Sequence, residues 1–546
     1  IMTNKEIAQS FQLLGQLMQL QGENPYKIRS YENAYRKLRS WEVPLEEMPD
    51  PEIAAIPGVG KAIHGKIREL LDNGQMNTLE RYKTQVPSGV QEMLQIKGFG
   101  AKKIKAIWQD LGAESIGELL YAVNENRLVE LKGFGAKTQE DLRQKLEYYQ
   151  QSKDQFHYAK LEATAEQLVV ELQTLLPSAK IELTGDIRRK MPVLRQIEIL
   201  LGDTAENIAK IQENYTVISS EEQRITIRYG DGAIPATIYL CDRADFGVHQ
   251  IKYTGNEAFV HSLALEANEK DVPMEEQEVF QHLNLSFVAP ELREQAFTPD
   301  LALPQLITDQ DLRGIFHVHT TASDGTHTLA DMCTYTKSLG FQYIGITDHS
   351  QSAFYAGGLK EAALLAQWAA IDELNQQLAP FHIFKGIESD ILSDGQLDYE
   401  EDILKQFDFI VASVHSNLKM DEAKATRRLV TAIENPYTTI LGHPTGRLLL
   451  SRKGYPIQYE KVIDACAANG VHIELNANPY RLDLDWTWIP YALERGVKIA
   501  INPDAHSKRG LHDMHYGVMA ARKGGLTKAD CLNAMNLADV REVLRK

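Results

Sequence analysis

The strongest constraint on the fold is a series of short apolar segments between Gly314 and Lys546 that end on histidine or acidic residues. They read Phe316-His317-Val318-His319, Thr347-Asp348-His349, Gly386-Ile387-Glu388, Ser413-Val414-His415, Gly442-His443-Pro444 and Asn502-Pro503-Asp504-Ala505-His506. Helical patterns separate the segments, and such β/α alternation is typical of a parallel barrel. Because the carboxyl ends of parallel strands meet at one mouth of a barrel, we expect these side chains to form one site.

With Asp324, which lies in the loop after His319, the segments supply nine candidate ligands, namely six imidazoles and the carboxylates of Asp324, Glu388 and Asp504. The His-x-His phrase places two imidazoles on one face of a strand. Mixed nitrogen and oxygen ligands suit Zn²⁺, Mn²⁺ or Fe²⁺ better than Ca²⁺ or Mg²⁺. Their number exceeds the four ligands of one tetrahedral ion and predicts two or three metals with bridging carboxylates. Closely spaced metals suit phosphoester hydrolysis. An amidohydrolase, which also uses His-x-His on a barrel, is the alternative.

A second repeated feature lies in the first 150 residues, where an apolar residue, any residue, Gly, an apolar residue and Gly recur. The copies contain Gly58 and Gly60, Gly98 and Gly100, and Gly133 and Gly135, and a helical apolar pattern follows each. Such helix-hairpin-helix turns expose backbone N–H groups that bind a phosphate. Lys61 and Lys102 add positive charge. A single copy would favour a plain helix turn, but three copies predict binding to the DNA backbone.

Charge and hydropathy limit the classes of partner. The net charge of −17 argues against a protein that coats nucleic acid non-specifically. From Lys61 to Tyr149, however, 14 Lys and Arg stand against 12 Asp and Glu, so DNA contact is expected there. No apolar run approaches the roughly 20 residues that span a bilayer. We therefore expect no membrane association, a cytoplasmic location and a monomer.

The middle of the chain indicates an α+β domain. A helix is predicted from about Ser152 to Pro177, strands are predicted at Lys180–Leu183, Ile197–Leu201, Arg224–Arg228 and Ala236–Leu240, and a linker is predicted around Ala289–Pro304. The predicted chain is therefore multidomain. Its parts are an all-α helical DNA-binding region (1–85), helix-hairpin-helix fingers (86–150), a palm (151–240), a thumb (241–300), a linker (301–313) and an α/β barrel (314–546).

The motifs that begin at Phe316, Gly345, Gly386, Leu441 and Pro503 resemble the polymerase-and-histidinol-phosphatase (PHP) domain, and the whole chain resembles bacterial family X DNA polymerases. The resemblance implies a distorted (βα)₇ barrel that holds three metals, often Mn²⁺ or Zn²⁺, and acts as a bacterial 3′–5′ exonuclease in DNA repair. It implies a nucleotidyltransferase-like palm before the barrel. The implied metal ligands are His317, His319, Asp324, His349, Glu388, His415, His443, Asp504 and His506. Glu388, Asp504 and His415 are the catalytic candidates. Arg447 is a candidate phosphate contact or a solvated loop residue.

The palm departs from the pattern of this family. Where the family has a phosphate-contacting Ser and three acids that bind Mg²⁺, this chain has Asp186, Gln196, Glu198 and Thr237. Of the three positions where the family has a Mg²⁺-binding acid, only Glu198 keeps a carboxylate, and Asp186 would repel a triphosphate. The sequence therefore predicts that Mg²⁺ binding and templated synthesis are lost or very weak. The alternatives are an active polymerase with an unusual metal site and a DNA-binding scaffold whose barrel is a relic.

One further activity is suggested by position. Lys66 falls where some relatives carry the lysine that forms a Schiff base with an abasic sugar, although a surface lysine is also ordinary after a hairpin. The expected substrates are gapped, nicked or 3′-blocked DNA ends, and the enzyme would be associated with the nucleoid in use.

Overall fold

The structure is a computed structural model that describes residues 2–203, 207–230, 233–265 and 275–545. Part of the predicted thumb, residues 266–274, therefore lies outside the described residues. The chain divides into two units, Ile1–Lys153 and Asp154–Lys546. Each unit is described by itself.

The first unit is all-α, as predicted. One hydrophobic core extends from Ile7 to Leu146, so the two predicted N-terminal segments share it. Asn4–Leu20 begins at Thr3, whose side chain accepts from the N–H of Glu6 in a capping box. The helices are α1 Asn4–Leu20, α2 Pro25–Arg39, α3 Asp50–Ala54, α4 Lys61–Asn73, α5 Asn77–Gln85, α6 Ser88–Met93, α7 Ala101–Leu111, α8 Ile116–Asn124 and α9 Ala136–Ser152.

The palm occupies the start of the second unit. Its elements are β1 Phe156–His157, α10 Tyr158–Leu175, β2 Lys180–Leu183, α11 Gly185–Arg188, β3 Val193–Leu194, β4 Ile197–Gly202, α12 Asn207–Asn214, β5 Thr216–Glu221, β6 Arg224–Tyr229, β7 Ile234–Cys241 and α13 Phe246–Thr254. The main sheet has the order β2-β4-β7-β6-β5. Four of its strands were predicted. The helix predicted from Ser152 begins instead at Tyr158, because Phe156 and His157 pair as β1 with Val193 and Leu194 of β3.

After α13 come α14 Glu257–Ser262 and α15 Glu276–His282, which pack around a separate small core with Phe259 and Phe280. The sequence predicted a linker at 289–304, and the first part of this segment is packed whereas most of 295–302 is exposed. Arg293 is fully buried and pairs with Glu276, while Glu294 accepts from Arg189 at 2.7 Å and from Lys523 at 2.7 Å. The charged residues Arg293 and Glu294 at the start of this segment are therefore held in ion pairs.

The last part of the chain is the barrel. Its elements are β8 Gly314–Val318, α16 Leu329–Ser338, β9 Tyr343–Ile346, α17 Glu361–Leu378, β10 His382–Asp390, α18 Glu401–Leu404, β11 Phe409–Ser413, α19 Glu422–Glu434, β12 Ile440–Leu441, α20 Tyr459–Asn469, β13 His472–Asn476, α21 Ile489–Glu494, β14 Ile499–Asn502, α22 Met514–Lys523 and α23 Leu537–Leu544. The seven strands β8–β14 are parallel and adjacent in chain order.

The barrel is nearly closed at its mouth. A bridge between Val318 and Ala505 joins the first strand to the segment after the last, with the His319 N–H donating to the Ala505 carbonyl at 2.8 Å. Strands β8, β9, β11, β13 and β14 are buried along their whole length, as expected for a parallel sheet covered on both faces. Closure brings the first and last ligand segments together. Among the helices of the described residues, none is long and apolar enough to cross a bilayer.

Candidate metal centre and nucleic-acid-binding hairpins

The nine predicted metal ligands lie together at the carboxyl ends of the barrel strands. Eight of them form three overlapping groups, and within each group the ligand atoms lie within 4.8 Å of one another. The ninth, His443, contacts Glu388. The groups are His319, Asp324, His349 and His506; His317, His319, Glu388 and Asp504; and His349, Glu388 and His415. His443 adds to the third group through a 3.1 Å approach of its Nε2 to Glu388.

The His-x-His phrase reaches the site by a different route from the one predicted. β8 is irregular between Ile315 and Val318, and His317 has a φ of +59°. The two rings are nevertheless 5.3 Å apart, centroid to centroid. Asp504 also has a positive φ, +52°. Left-handed backbone in a residue other than glycine stores strain, and such strain is concentrated at functional sites.

Glu388 is the centre of the cluster. It is fully buried on β10, and its Oε1 lies 3.2 Å from His317 Nε2 and 3.1 Å from His415 Nε2. Its Oε2 lies 3.4 Å from His319 Nε2 and 3.3 Å from His349 Nδ1. Neighbouring ligand atoms around an ion held at about 2.1 Å are separated by roughly 3.0–3.4 Å. Both oxygens of Glu388 therefore lie at the distances from histidine nitrogens that ligands of a common ion would have.

Unsatisfied buried atoms indicate what the cluster can hold. Among the described residues, His317 Nε2, His319 Nδ1, His443 Nδ1 and Glu388 Oε2 are buried and have no hydrogen-bond partner. Buried polar atoms without a partner are costly in a folded protein. Two of these nitrogens, His317 Nε2 and His319 Nδ1, lie 3.2–3.7 Å from carboxylate oxygens without a hydrogen bond, as expected of atoms that share a cation. The residues therefore fit divalent metals with mixed nitrogen and oxygen ligands.

Two buried acids that sequence reasoning missed hold the ligands in place. Glu474 on β13 accepts from His317 Nδ1 at 2.5 Å, from the His443 N–H at 2.7 Å and from Asn502 at 2.9 Å. Asp390 on β10 accepts from His415 Nδ1 at 2.6 Å. A carboxylate behind a metal-binding imidazole fixes its ring and tautomer. A signal was available for Asp390, because it lies two residues after Glu388 and so on the same face of the strand.

The electrostatics keep the carboxylates charged. Burial favours the neutral acid, but His415, His317 and His349 hold the pKa of Glu388 well below its usual range. Burial likewise opposes the charged imidazole of His415, yet the Glu388 and Asp390 carboxylates raise its pKa to about 10. The Glu388 carboxylate is therefore ionised at neutral pH, and a divalent cation that binds here displaces the proton of the neighbouring imidazole.

Arg447, the candidate phosphate contact, uses its nitrogens on protein acceptors. Its Nε donates to the Arg481 carbonyl at 2.9 Å, one Nη donates to Asp485 at 2.7 Å, and the other donates to the Leu482 carbonyl. The guanidinium thereby fixes the loop after β13. A phosphate contact by Arg447 stays a prediction.

In the palm, the side chains at the three positions where the family has Mg²⁺-binding acids are hydrogen-bonded to protein groups. Thr237, on β7 beside Glu198, donates to Gln196 Oε1 at 2.7 Å. The Glu198 carboxylate accepts from the Asp186 N–H at 2.9 Å and from the Tyr239 hydroxyl at 3.1 Å. It lies so close to Gly185 that a Cβ there would meet Glu198 Oε2 at 2.0 Å. The one remaining acid therefore holds the start of α11.

The two arginines after Asp186 are bound within the palm and thumb. Arg188 donates to Glu276 at 2.6 and 2.9 Å. Arg189 is buried and donates to Asp186 at 2.6 Å, to Glu294 at 2.7 Å and to the Thr254 carbonyl at 2.8 Å. Both side chains therefore have structural partners within the protein.

The three hairpins of the first unit share one geometry. Gly58, Gly98 and Gly133 have positive φ, and Gly60, Gly100 and Gly135 are the N-caps of α4, α7 and α9. The apolar residue between the glycines is buried in each copy, whereas Lys61 and Lys102 are exposed. The helix N–H groups thus face solvent beside a cation, as phosphate binding requires. Lys66 lies on α4, half-buried, 5.8 Å from the Tyr31 ring centroid.

Comparisons with known proteins agree with this division. Residues 2–76 match a helix-hairpin-helix domain, residues 90–147 match a SAM-like helix-hairpin-helix tandem, and residues 316–478 match the PHP domain. The chain is 31% identical to the DNA polymerase/3′-5′ exonuclease PolX of Bacillus subtilis (strain 168), over 100% of both chains. The chain belongs to the PolX family.

The PHP part of this PolX family member also has relatives without the rest of the chain. It is 29% identical to a protein named probable phosphatase from Thermoanaerobacter sp. (strain X514), over 42% of this chain and 93% of that relative. It is 28% identical to another so named from Acetivibrio thermocellus, over 35% of this chain and 78% of that relative. The predicted resemblance to a bacterial family X polymerase with a PHP domain is confirmed.

Proposed function

We propose that this chain is a metal-dependent phosphoesterase that trims or unblocks the 3′ ends of DNA in repair, with 3′–5′ exonuclease activity, and that its palm no longer synthesises DNA. The observation that carries the proposal is the convergence of nine histidine, aspartate and glutamate side chains around Glu388, with buried ligand atoms that lack hydrogen-bond partners. The PolX relative and the phosphatase relatives support hydrolysis of phosphoesters.

The residues have separate roles in this chemistry. Bound Mn²⁺ or Zn²⁺, or Fe²⁺, would supply a hydroxide at neutral pH and stabilise the charge on the phosphate oxygens. Glu388 would bridge the ions, and Asp504 would bind beside His319, whose Nε2 lies 3.0 Å away. His415 would bind at the third group, and its ring is oriented by Asp390. The charged carboxylates hold these positions before substrate arrives.

The hairpins provide the reason to choose DNA as the substrate. Three helix N-termini, each preceded by two glycines, offer exposed N–H groups to a sugar-phosphate backbone without reading its sequence. Gapped, nicked or 3′-blocked ends are the proposed targets. Catalysis by the barrel and DNA binding by the first unit would then be separable functions.

Loss of synthesis is proposed from the palm geometry. Two Mg²⁺ ions bridged by nucleotide phosphates need several carboxylates. Here Glu198 accepts hydrogen bonds from the Asp186 N–H and from Tyr239, and Gln196 is paired with Thr237. An active polymerase with an unusual metal site is the second candidate.

The barrel assignment is tested with His415→Ala and Asp504→Asn. Both variants should lose hydrolysis of 3′-hydroxyl, 3′-phosphate and abasic DNA ends while keeping wild-type affinity for DNA. His382→Ala is the matched control, because His382 lies at the start of β10 and contacts Arg541 outside the cluster. Unchanged digestion by both site variants would reject the assignment and favour the scaffold alternative.

The palm assignment is tested by primer extension with Mg²⁺ or Mn²⁺. We expect no extension above background from the wild-type chain. Robust extension that Glu198→Ala abolishes, and that His415→Ala leaves intact, would overturn the proposal. A lyase role for Lys66 is a separate prediction, tested by borohydride trapping on abasic DNA with Lys66→Ala.

A further inference from the structure

The loop that follows β13 is fixed against the loop that carries His443. Asp483 accepts from the Thr445 N–H at 2.9 Å and from its hydroxyl at 2.8 Å, and Arg447 donates to the Arg481 carbonyl and to Asp485. Thr445 is two residues after His443, and Asn476 at the end of β13 donates to Asp504 at 3.1 Å. Residues 478–485, here named the β13 loop, therefore form part of the rim of the metal cluster.

Arg481 is the distinctive residue of the β13 loop. Among the described residues, its Nη1 is buried and has no hydrogen-bond partner. Neighbouring arginines behave differently, since Arg447 donates to three protein acceptors and Arg452 donates to the Gly446 carbonyl from two nitrogens. A buried guanidinium N–H without an acceptor is costly, and a planar guanidinium matches two oxygens of a phosphate.

Asp483 lies two residues after Arg481 in the same loop. Asp483 is a competing partner, because it is buried and its Oδ1 also lacks a hydrogen bond. No ion pair within 4.0 Å joins the two side chains in the part of the chain that the structure describes. Arg481 Nη1 and Asp483 Oδ1 are therefore two polar atoms of opposite charge, each without a hydrogen-bond partner, in the β13 loop.

The residue before Arg481 is an exposed aromatic. Tyr480 is 51% exposed, and its ring lies 4.3 Å from the ring of His157, centroid to centroid, at an angle of 58°. His157, from β1 of the palm, is held by a 2.9 Å contact between its Nε2 and the Leu449 carbonyl. An exposed ring beside a cation is the arrangement on which single-stranded nucleic acid stacks its bases.

We propose that the β13 loop binds the terminal nucleotide of the substrate, with Arg481 on the scissile phosphate and Tyr480 under the base. This inference rests on the proposed function and names the subsite that the function needs. The palm then contributes to hydrolysis through His157, which supports the Tyr480 ring. A nucleoside 5′-monophosphate, the product of 3′–5′ digestion, carries the same phosphate and base and is the appropriate probe.

The experiment compares thymidine 5′-monophosphate with inorganic phosphate on the full chain loaded with Mn²⁺. Calorimetry gives the Kd of each probe for wild type, Arg481→Met, Tyr480→Ala and the control Arg495→Met. Arg495 is the matched control because it is an exposed arginine that pairs with Asp464. Arg481→Met should weaken both probes by about 10–100-fold, the loss expected for hydrogen bonds to a charged group. Tyr480→Ala should weaken the nucleotide by about tenfold and leave phosphate unchanged.

Several results would overturn the inference. Unchanged affinity of Arg481→Met for both probes, or loss of its Mn²⁺ by elemental analysis, would make Arg481 a structural counter-ion of Asp483. If Arg481→Met does not fold, Tyr480→Ala still decides, because unchanged nucleotide affinity rejects the subsite. The proposed function fails separately, when the wild-type chain hydrolyses no DNA end with any of the three metals. If the wild-type chain hydrolyses DNA ends and both variants keep its KM, the subsite is rejected and the proposed function stands.

Discussion

The barrel and the palm both place a glutamate on an interior strand of a sheet, and the two glutamates have opposite surroundings. Glu388 lies within 3.1–3.4 Å of nitrogen atoms from five histidines. Glu198 accepts instead from a backbone N–H and a tyrosine hydroxyl. The difference teaches that a carboxylate is a metal ligand only where the atoms around it are also ligands. In the palm, hydrogen-bond donors have taken their place.

The largest effect is expected from Glu388→Gln, which tests whether the barrel glutamate is the shared ligand. An amide binds metals weakly and cannot balance the five imidazoles, so hydrolysis of DNA ends should fall by roughly 10³-fold or more. Elemental analysis should show fewer bound metals. Glu400→Gln, at an exposed position, is the control. A variant with full metal content and activity would contradict the comparison.

Lys523→Met tests the ion pairs that join the two regions. Lys523 is buried on α22 and donates to Glu294 and to the Arg189 carbonyl, and Glu294 also binds Arg189 of the palm. Removing one partner of a buried pair costs about 3–5 kcal/mol. We expect a lower midpoint in denaturant with unchanged metal content per folded chain. Metal loss in the folded variant would show that the barrel site depends on the palm.

Glu474→Gln sharpens the description of the barrel site. Because Glu474 holds His317 and the His443 backbone, the variant should bind metal about 10–100-fold more weakly. Competition with a chelator measures this affinity, and Glu460→Gln on the exposed face of α20 is the control. Equal metal affinity in the two variants would show that Glu474 does not support metal binding.

The smallest effect is expected from Glu198→Gln in the palm. Burial, followed by the Asp186 charge, raises the pKa of Glu198 above the ordinary 4.5. A raised pKa means that its contribution to stability is complete below pH 4.5 and declines as the pH rises through the folded value. Glutamine does not ionise, so Tm at pH 8 should rise by roughly 1 °C, and the gain should disappear below pH 4.5.

The control for this prediction is nuclease activity, which Glu198→Gln should leave unchanged. If the variant has a lower Tm than the wild type, and if Mg²⁺ raises the Tm of the wild type and widens this difference, a cation binds at Glu198. That result would break the comparison between the two regions.

Much of the barrel could be predicted from the sequence, because its strands are buried on both faces and its candidate ligands follow them directly. His382 and His472, which begin strands, lie outside the three ligand groups. The palm edge strand β5 was missed because almost every residue in it is exposed, so it lacks the apolar alternation of a strand.

Other features depend on contacts distant in sequence. The role of Arg447 in holding the β13 loop follows from acceptors 34 to 38 residues away. The packed segment around Arg293 follows from pairing with Glu276 and from the pairing of Glu294 with Lys523. A polar sequence does not distinguish solvated charges from buried ion pairs.

The parallel order of the barrel strands has a consequence for protein synthesis. The first ligand, His317, and the last, His506, are contributed by opposite ends of the domain, and the bridge from Val318 to Ala505 joins them. A ribosome makes His317 before Asp504 and His506. The ligand cluster is therefore complete only after this last segment has been made, and a chain that stops before Asp504 lacks both of its ligands.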